Sequence, residues 1–125
     1  MIKEAFVSFE VAKLLKEKGF NEPCCGRYSI RSKEFHLDCT KMCNNGGLFE
    51  CAAPTHQMAM AWLREKYISI VIDDDEIPLS YKYIIKKYSI NDNYKVLTLK
   101  LDSLPFIKYE NAVEAALKYV LENLI

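Results

Sequence analysis

Apolar residues recur at helical spacing in three parts of the chain. In the first, Ser8 is placed to cap a helix from Phe9 to Lys18 whose stripe is Val11, Ala12, Leu14 and Leu15. Gly19 supplies a left-handed stop there, and Phe20 is positioned to fold back on the last turn. In the second, Pro54-Thr55 opens a helix running to about Lys66, with Met58, Ala59, Trp62 and Leu63 on one face and Trp62 as a core anchor. The third is the longest: Glu110 to Leu124 carries Ala112, Val113, Ala116, Leu117, Val120, Leu121 and Leu124 on one stripe. Glu114 and Lys118 form an expected pair outside it.

The period changes between the second and third helices. Ile68 to Ile72, Tyr81 to Ser89 and Tyr94 to Leu101 are β-rich, and they are separated by Asp73-Asp74-Asp75-Glu76 with Pro78 and by Asn91-Asp92-Asn93. An antiparallel meander follows. In its third run Leu97, Leu99 and Leu101 alternate with Thr98 and Lys100, a pattern that predicts one buried, leucine-bearing face and one wet face. Earlier in the chain, Tyr28 to Arg31 and Phe35 to Leu37 read as a short hairpin around Ser32-Lys33-Glu34. From Asp38 to Pro54 the turn-forming Asn44-Asn45-Gly46-Gly47 and the lack of periodicity predict an irregular loop. The expected architecture is a single α+β domain over residues 1–125. Its mostly antiparallel sheet is the meander, extended by the hairpin, packed on the second and third helices, with the first helix closing an edge. The C-terminal part has the order α-β-β-β-α.

With half of its 125 residues hydrophobic, the chain can bury one core. Its 17 basic and 17 acidic side chains cancel, removing the broad positive field that non-specific nucleic-acid or anionic-membrane binding needs. No apolar run reads as a signal peptide or membrane span, so the expected setting is cytoplasmic, with no membrane partner. In that setting Cys24, Cys25, Cys39, Cys43 and Cys51 are expected to be reduced.

Cys39 and Cys43, with Cys51 and a fourth ligand from Cys24, Cys25, His36 or His56, are the only soft set that could hold zinc. Their spacing is poor for a tetrahedron, so no metal is expected. A nucleophilic Cys39 or Cys51 would need His36 or His56 beside it as base. The acidic run Asp73 to Glu76 lacks the spaced ligands of a calcium loop and reads as a solvated turn. Phosphate-loop, dinucleotide, zinc-protease and serine-hydrolase signatures are absent, so neither an enzyme nor a cofactor is indicated.

Three segments carry a family likeness: Val7 to Phe20, Ala53-Pro54-Thr55 through Trp62-Leu63-Arg64-Glu65, and Tyr109 to Leu117. On these the chain resembles a family of small uncharacterised proteins of gut Bacteroidales and their phages and mobile elements. The resemblance implies a bacterial or phage cytoplasmic setting and an accessory role, and brings no catalytic or binding residue with it. The helix, three strands and helix from Thr55 to Ile125 also repeat the order of double-stranded-RNA-binding domains. Where those domains place basic residues to grip phosphate, this chain has Glu110 and Glu114, which argues against double-stranded RNA as a partner.

Rings and cations interleave in Tyr81-Lys82-Tyr83-Ile84-Ile85-Lys86-Lys87-Tyr88. Lys82, Lys86 and Tyr88 share one face of that strand and form the expected binding surface, with Tyr81 and Tyr83 as the alternative if the strand is turned over. The function expected is a non-enzymatic accessory protein that binds a macromolecule or small ligand through the wet sheet face or the Cys-rich loop. Dimerisation through sheet edges is compatible with it. A zinc-stabilised nucleic-acid or nucleotide-binding module is the second reading, and a cysteine-dependent enzyme the third.

Overall fold

A computed structural model describes residues 3–74, 80–101 and 105–125 of the chain. Three helices and two antiparallel sheets make a mixed α+β fold. Helix α1 (Phe9–Glu17) begins where Ser8 Oγ accepts a hydrogen bond from the Val11 amide at 3.2 Å. It ends at Gly19, whose φ of 93° lets the buried Phe20 donate its amide back to the Leu15 carbonyl. Helix α2 (His56–Arg64) is capped in the same way by Thr55, which accepts from the Met58 amide. Helix α3 (Tyr109–Asn123) buries Ala112, Val113, Ala116, Leu117, Val120 and Leu121, six of the seven residues of the expected stripe, while the seventh, Leu124, is the C-cap and only half-buried.

One sheet is the meander: β4 (Ile68–Asp74), β5 (Tyr81–Ser89) and β6 (Lys95–Leu101), in that order. Asn93 and Tyr94, both at positive φ, turn β5 into β6. The remainder of the acidic turn, Asp75 and Glu76, and Pro78 with it, lies outside the described residues. The other sheet corrects the sequence reading. The hairpin of β1 (Gly26–Ser29) and β2 (Phe35–Leu37) does not extend the meander; it pairs with β3 (Glu50–Ala53), in the order β2-β1-β3. Strand β3 lies inside the segment read as loop. Three of its four residues, Cys51, Ala52 and Ala53, are fully buried, a short apolar run with no alternation to betray it. Helix α1 accordingly packs on β3 and α3, not on an edge of the meander.

The rest of the Asp38 to Pro54 segment is irregular but anchored. Asn45 donates to the Phe20 carbonyl at 2.7 Å and accepts from the Ala52 amide at 2.8 Å, while its own amide donates to Asn21 Oδ1. Lys16 of α1 donates to the carbonyls of Gly47 and Glu50.

The faces of the meander are also reversed at β6. Ile70, Tyr83 and Ile85 are buried, and β4 and β5 pack against α3. Lys100, opposite Ile85, lies on that same inner side with its Nζ 5.3 Å from the Tyr119 ring of α3. Leu97 and Leu99, expected inside, are 58% and 56% exposed. The side chains of Thr98 and Leu101 lie outside the described ones. No helix among the described residues is long and apolar enough to cross a membrane.

Candidate functional site

The edge of the β2-β1-β3 sheet, the start of α2 and the N-terminal segment enclose a cavity of about 620 Å³. Its back wall exists because residue 26 is glycine. A Cβ there would sit 2.7 Å from the Ala53 carbonyl oxygen and about as close to the Phe35 and Phe6 rings, whose centroids are 5.2 Å apart. Leu37 and Met42 form one lip, Met58 of α2 the other, and Lys3 and Glu4 stand in the lining beside them. Five of the thirteen lining residues carry sulfur, namely Cys24, Cys25, Cys39, Met42 and Met58. The wall is therefore mostly soft and polarisable, with Lys3, Glu4 and Thr55 as its polar side chains.

Cys25 and Cys39 are joined by a disulfide, which corrects the expectation that all five cysteines are reduced. Cys24, Cys43 and Cys51 are free. Cys24 and Cys43 pair across two short backbone segments through reciprocal amide-to-carbonyl bonds of 2.8 Å, so the loop is tied to β1 beside the disulfide. Burial, with the neighbouring Cys43 and Glu22 adding, pushes the Cys24 thiol up to about 11, and its Sγ lies 3.8 Å from Met58 Sδ. Burial raises the Cys43 and Cys51 thiols too. None of the three is an activated thiolate.

The zinc set imagined from the sequence is not brought together: Cys39 is in the disulfide, Cys43 faces Glu50 and Cys51 is buried in β3. Among the described residues no three His, Cys, Asp or Glu side chains converge to hold a metal. Thiol titration checks the arrangement. Denatured without reductant, the protein should show three reactive thiols per chain, and five after reduction; five at the outset would remove the disulfide.

The histidines are engaged away from the cysteines. His36 lies 4.0 Å from Glu34 on the surface. His56 is buried, and its Nε2 meets Glu114 Oε1 at 2.8 Å. The same carboxylate accepts from the Ser8 amide at 2.9 Å and, through Oε2, from the Ser8 hydroxyl at 2.8 Å. Glu114 is thus not the outer partner of Lys118 that its position on α3 suggested; Lys118 pairs instead with Glu10 at 2.8 Å. Burial alone would raise the Glu114 carboxyl, but the hydrogen bonds from His56 and Ser8 outweigh it and hold its pKa below the usual carboxylate value.

Serine, histidine and a carboxylate within reach of one another invite a hydrolytic reading, and the order excludes it. In a catalytic triad the imidazole stands between acid and nucleophile. Here the carboxylate stands between the two others, and Ser8 Oγ is already the cap of α1, donating to Glu114 and accepting from Val11. The cluster is a partly buried polar node joining the starts of α1 and α2 to α3. Nothing in the spacing of Ser8, His56 and Glu114 along the chain announces it.

The expected surface on β5 is oriented as follows. Tyr83 is buried and Tyr81 half-buried, stacked edge-on against Tyr109. Lys82, Lys86 and Tyr88 alternate with these inner residues and fall on the opposite, open face, half-buried among their neighbours. They are far in character from the cavity, which lies in the other sheet. No family model matches the chain, and comparisons with curated proteins and with solved structures found no match.

Proposed function

We propose that this protein is a non-enzymatic binding protein whose ligand is a neutral, apolar small molecule held in the cavity beneath the Cys-rich loop. The observation that carries the reading is the cavity itself. Its volume of about 620 Å³ is within the range of ordinary ligand sites, and its lining is apolar with few polar groups. A charge carried into the cavity away from Lys3 and Glu4 would lie against Phe6, Phe35 and methionine side chains, at a cost of several kcal/mol. A flat or aromatic skeleton, by contrast, gains from ring faces and from sulfur at ring edges. The raised thiols, the engaged histidines and the capped Ser8 supply no nucleophile or base to act on what is bound.

The test uses the neutral fluorophore N-phenylnaphthylamine. Its emission should rise and saturate at one site per chain, and Leu37→Lys with Met42→Lys should abolish the rise while leaving the melting temperature within a few degrees. Both side chains are exposed at the lip, where substitutions cost about 0.5 kcal/mol or less. A rise that fails to saturate, or that survives in the lip variant, would overturn the reading.

A further inference from the structure

The second feature without a role is the open face of the meander, and it is independent of the cavity. Strand alternation puts Ser69, Val71 and Asp73 of β4, Lys82, Ile84 and Lys86 of β5, and Leu97 and Leu99 of β6 on the side away from α3. An irregularity in register at Lys87/Tyr88 brings Val96 opposite Tyr88 and onto this side as well. Val71, Val96, Leu97 and Leu99 are each about half exposed. An antiparallel sheet ordinarily turns such residues to its core and its lysines to water. In β6 the assignment is inverted, since Lys100 is on the inner side over Tyr119.

We infer that this face is the docking surface for an acidic amphipathic helix of a partner protein. The size fits one helix. Three strands about 4.8 Å apart and about seven residues long offer a strip about 14 Å wide and 23 Å long, and a helix is about 10–12 Å across. The inner face of the same sheet is packed against α3, a helix of 15 residues.

The charges select the occupant. Lys82 and Lys86 stand on the central strand on either side of Ile84; Asp73 is opposite Lys82, whereas Lys86 is flanked by Ser69 and Leu99. Arg64 lines a shallow depression at that same end, with Ser69 and Tyr88. Among the described residues the face is therefore an apolar band whose Lys82, Lys86 and Arg64 outnumber Asp73, complementary to leucine-like residues bordered by Glu or Asp. A second copy of this chain fits worse. A twofold axis through Ile84 at the centre of the face, running along the strand or across it, lays Lys82 of one copy over Lys82 or Lys86 of the other, setting like charges together beside an apolar contact.

The test needs no knowledge of the natural partner. Two synthetic helical peptides of about 15 residues share one leucine face and differ only in carrying Glu or Lys along its borders. The wild-type protein should bind the Glu peptide at least about tenfold more tightly than the Lys peptide, with the preference shrinking as salt is raised. The double variant Lys82→Glu, Lys86→Glu should reverse the preference, which also demonstrates that it is folded. Leu97→Ser with Leu99→Ser should weaken binding of both peptides. Failure to bind the Glu peptide, equal affinity for the two, or indifference to the leucine substitutions would overturn the inference. So would a concentration-dependent wild-type dimer abolished by Leu99→Ser, because the face would then belong to a second copy.

Discussion

Replacing Glu114 with alanine should cost about 2–4 kcal/mol of folding stability, a loss out of proportion to a glutamate on a helix surface. The carboxylate accepts three hydrogen bonds, from His56 Nε2, the Ser8 amide and the Ser8 hydroxyl. Its removal leaves the ring nitrogen of a buried histidine with no acceptor and takes away the Ser8 tie between α1 and α3, leaving the exposed Lys118–Glu10 pair between the two helices. The cap of α1 itself survives, because Ser8 Oγ still receives the Val11 amide, so helix content should persist while the melting temperature falls by about 8–15 °C. The milder Glu114→Gln separates charge from shape. The folded-state pKa of Glu114 is depressed, so its charge contributes stability above the unfolded value, about 4.3, and that contribution fades as pH falls through the lower folded value. Thermal melts should show wild type well above Glu114→Gln at pH 7, with the gap closing as pH falls through the lowered folded-state value. A gap unchanged by acid would show that the carboxylate acts through shape alone.

Leu117→Asp should abolish cooperative unfolding altogether. Leu117 is fully buried near the middle of α3, within the cluster that joins α1, α3 and the meander. An aspartate there must either ionise without a partner or protonate, and both are costly against a stability of about 5–15 kcal/mol for a whole domain. Leu117→Ala, expected to lose about 2–5 kcal/mol, gives the graded measurement. If Leu117→Asp melts as the wild type does, α3 is not a core element and the packing described above is wrong.

These two residues stand one turn apart on the same helix, and they were unequally legible. Leu117 sits in a stripe of period 3.6, and burial of that stripe follows from the helix alone. Glu114 has the composition and spacing of a solvated i,i+4 partner to Lys118, and nothing local distinguishes it from one. What turns it inward is the arrival of Ser8 and His56, far away in sequence, at the same point of α3. The cavity was hidden for a related reason. Its wall requires β3, whose Cys51-Ala52-Ala53 run is too short and uniform to show a period, and a glycine whose role appears only when Ala53, Phe35 and Phe6 converge on it. The disulfide likewise joins Cys25 to Cys39 because pairing of β1 with β2 sets them side by side, and five closely spaced cysteines allow several pairings.

The sequence by itself determined the three helices, the Ser8 cap, the opening of the second helix at Pro54-Thr55, the stop at Gly19, the three strands of the meander and the α+β class, because each is written in contacts between residues a few positions apart. Only the tertiary structure decided which face of β6 looks inward. Alternation has the same period on both sides of a strand, and a shift of one residue in register exchanges them. Pairing with β5 places Lys100 beside the buried Ile85 and Leu99 beside Lys86, so β6 takes its faces from its neighbour, and its leucines are left in the open.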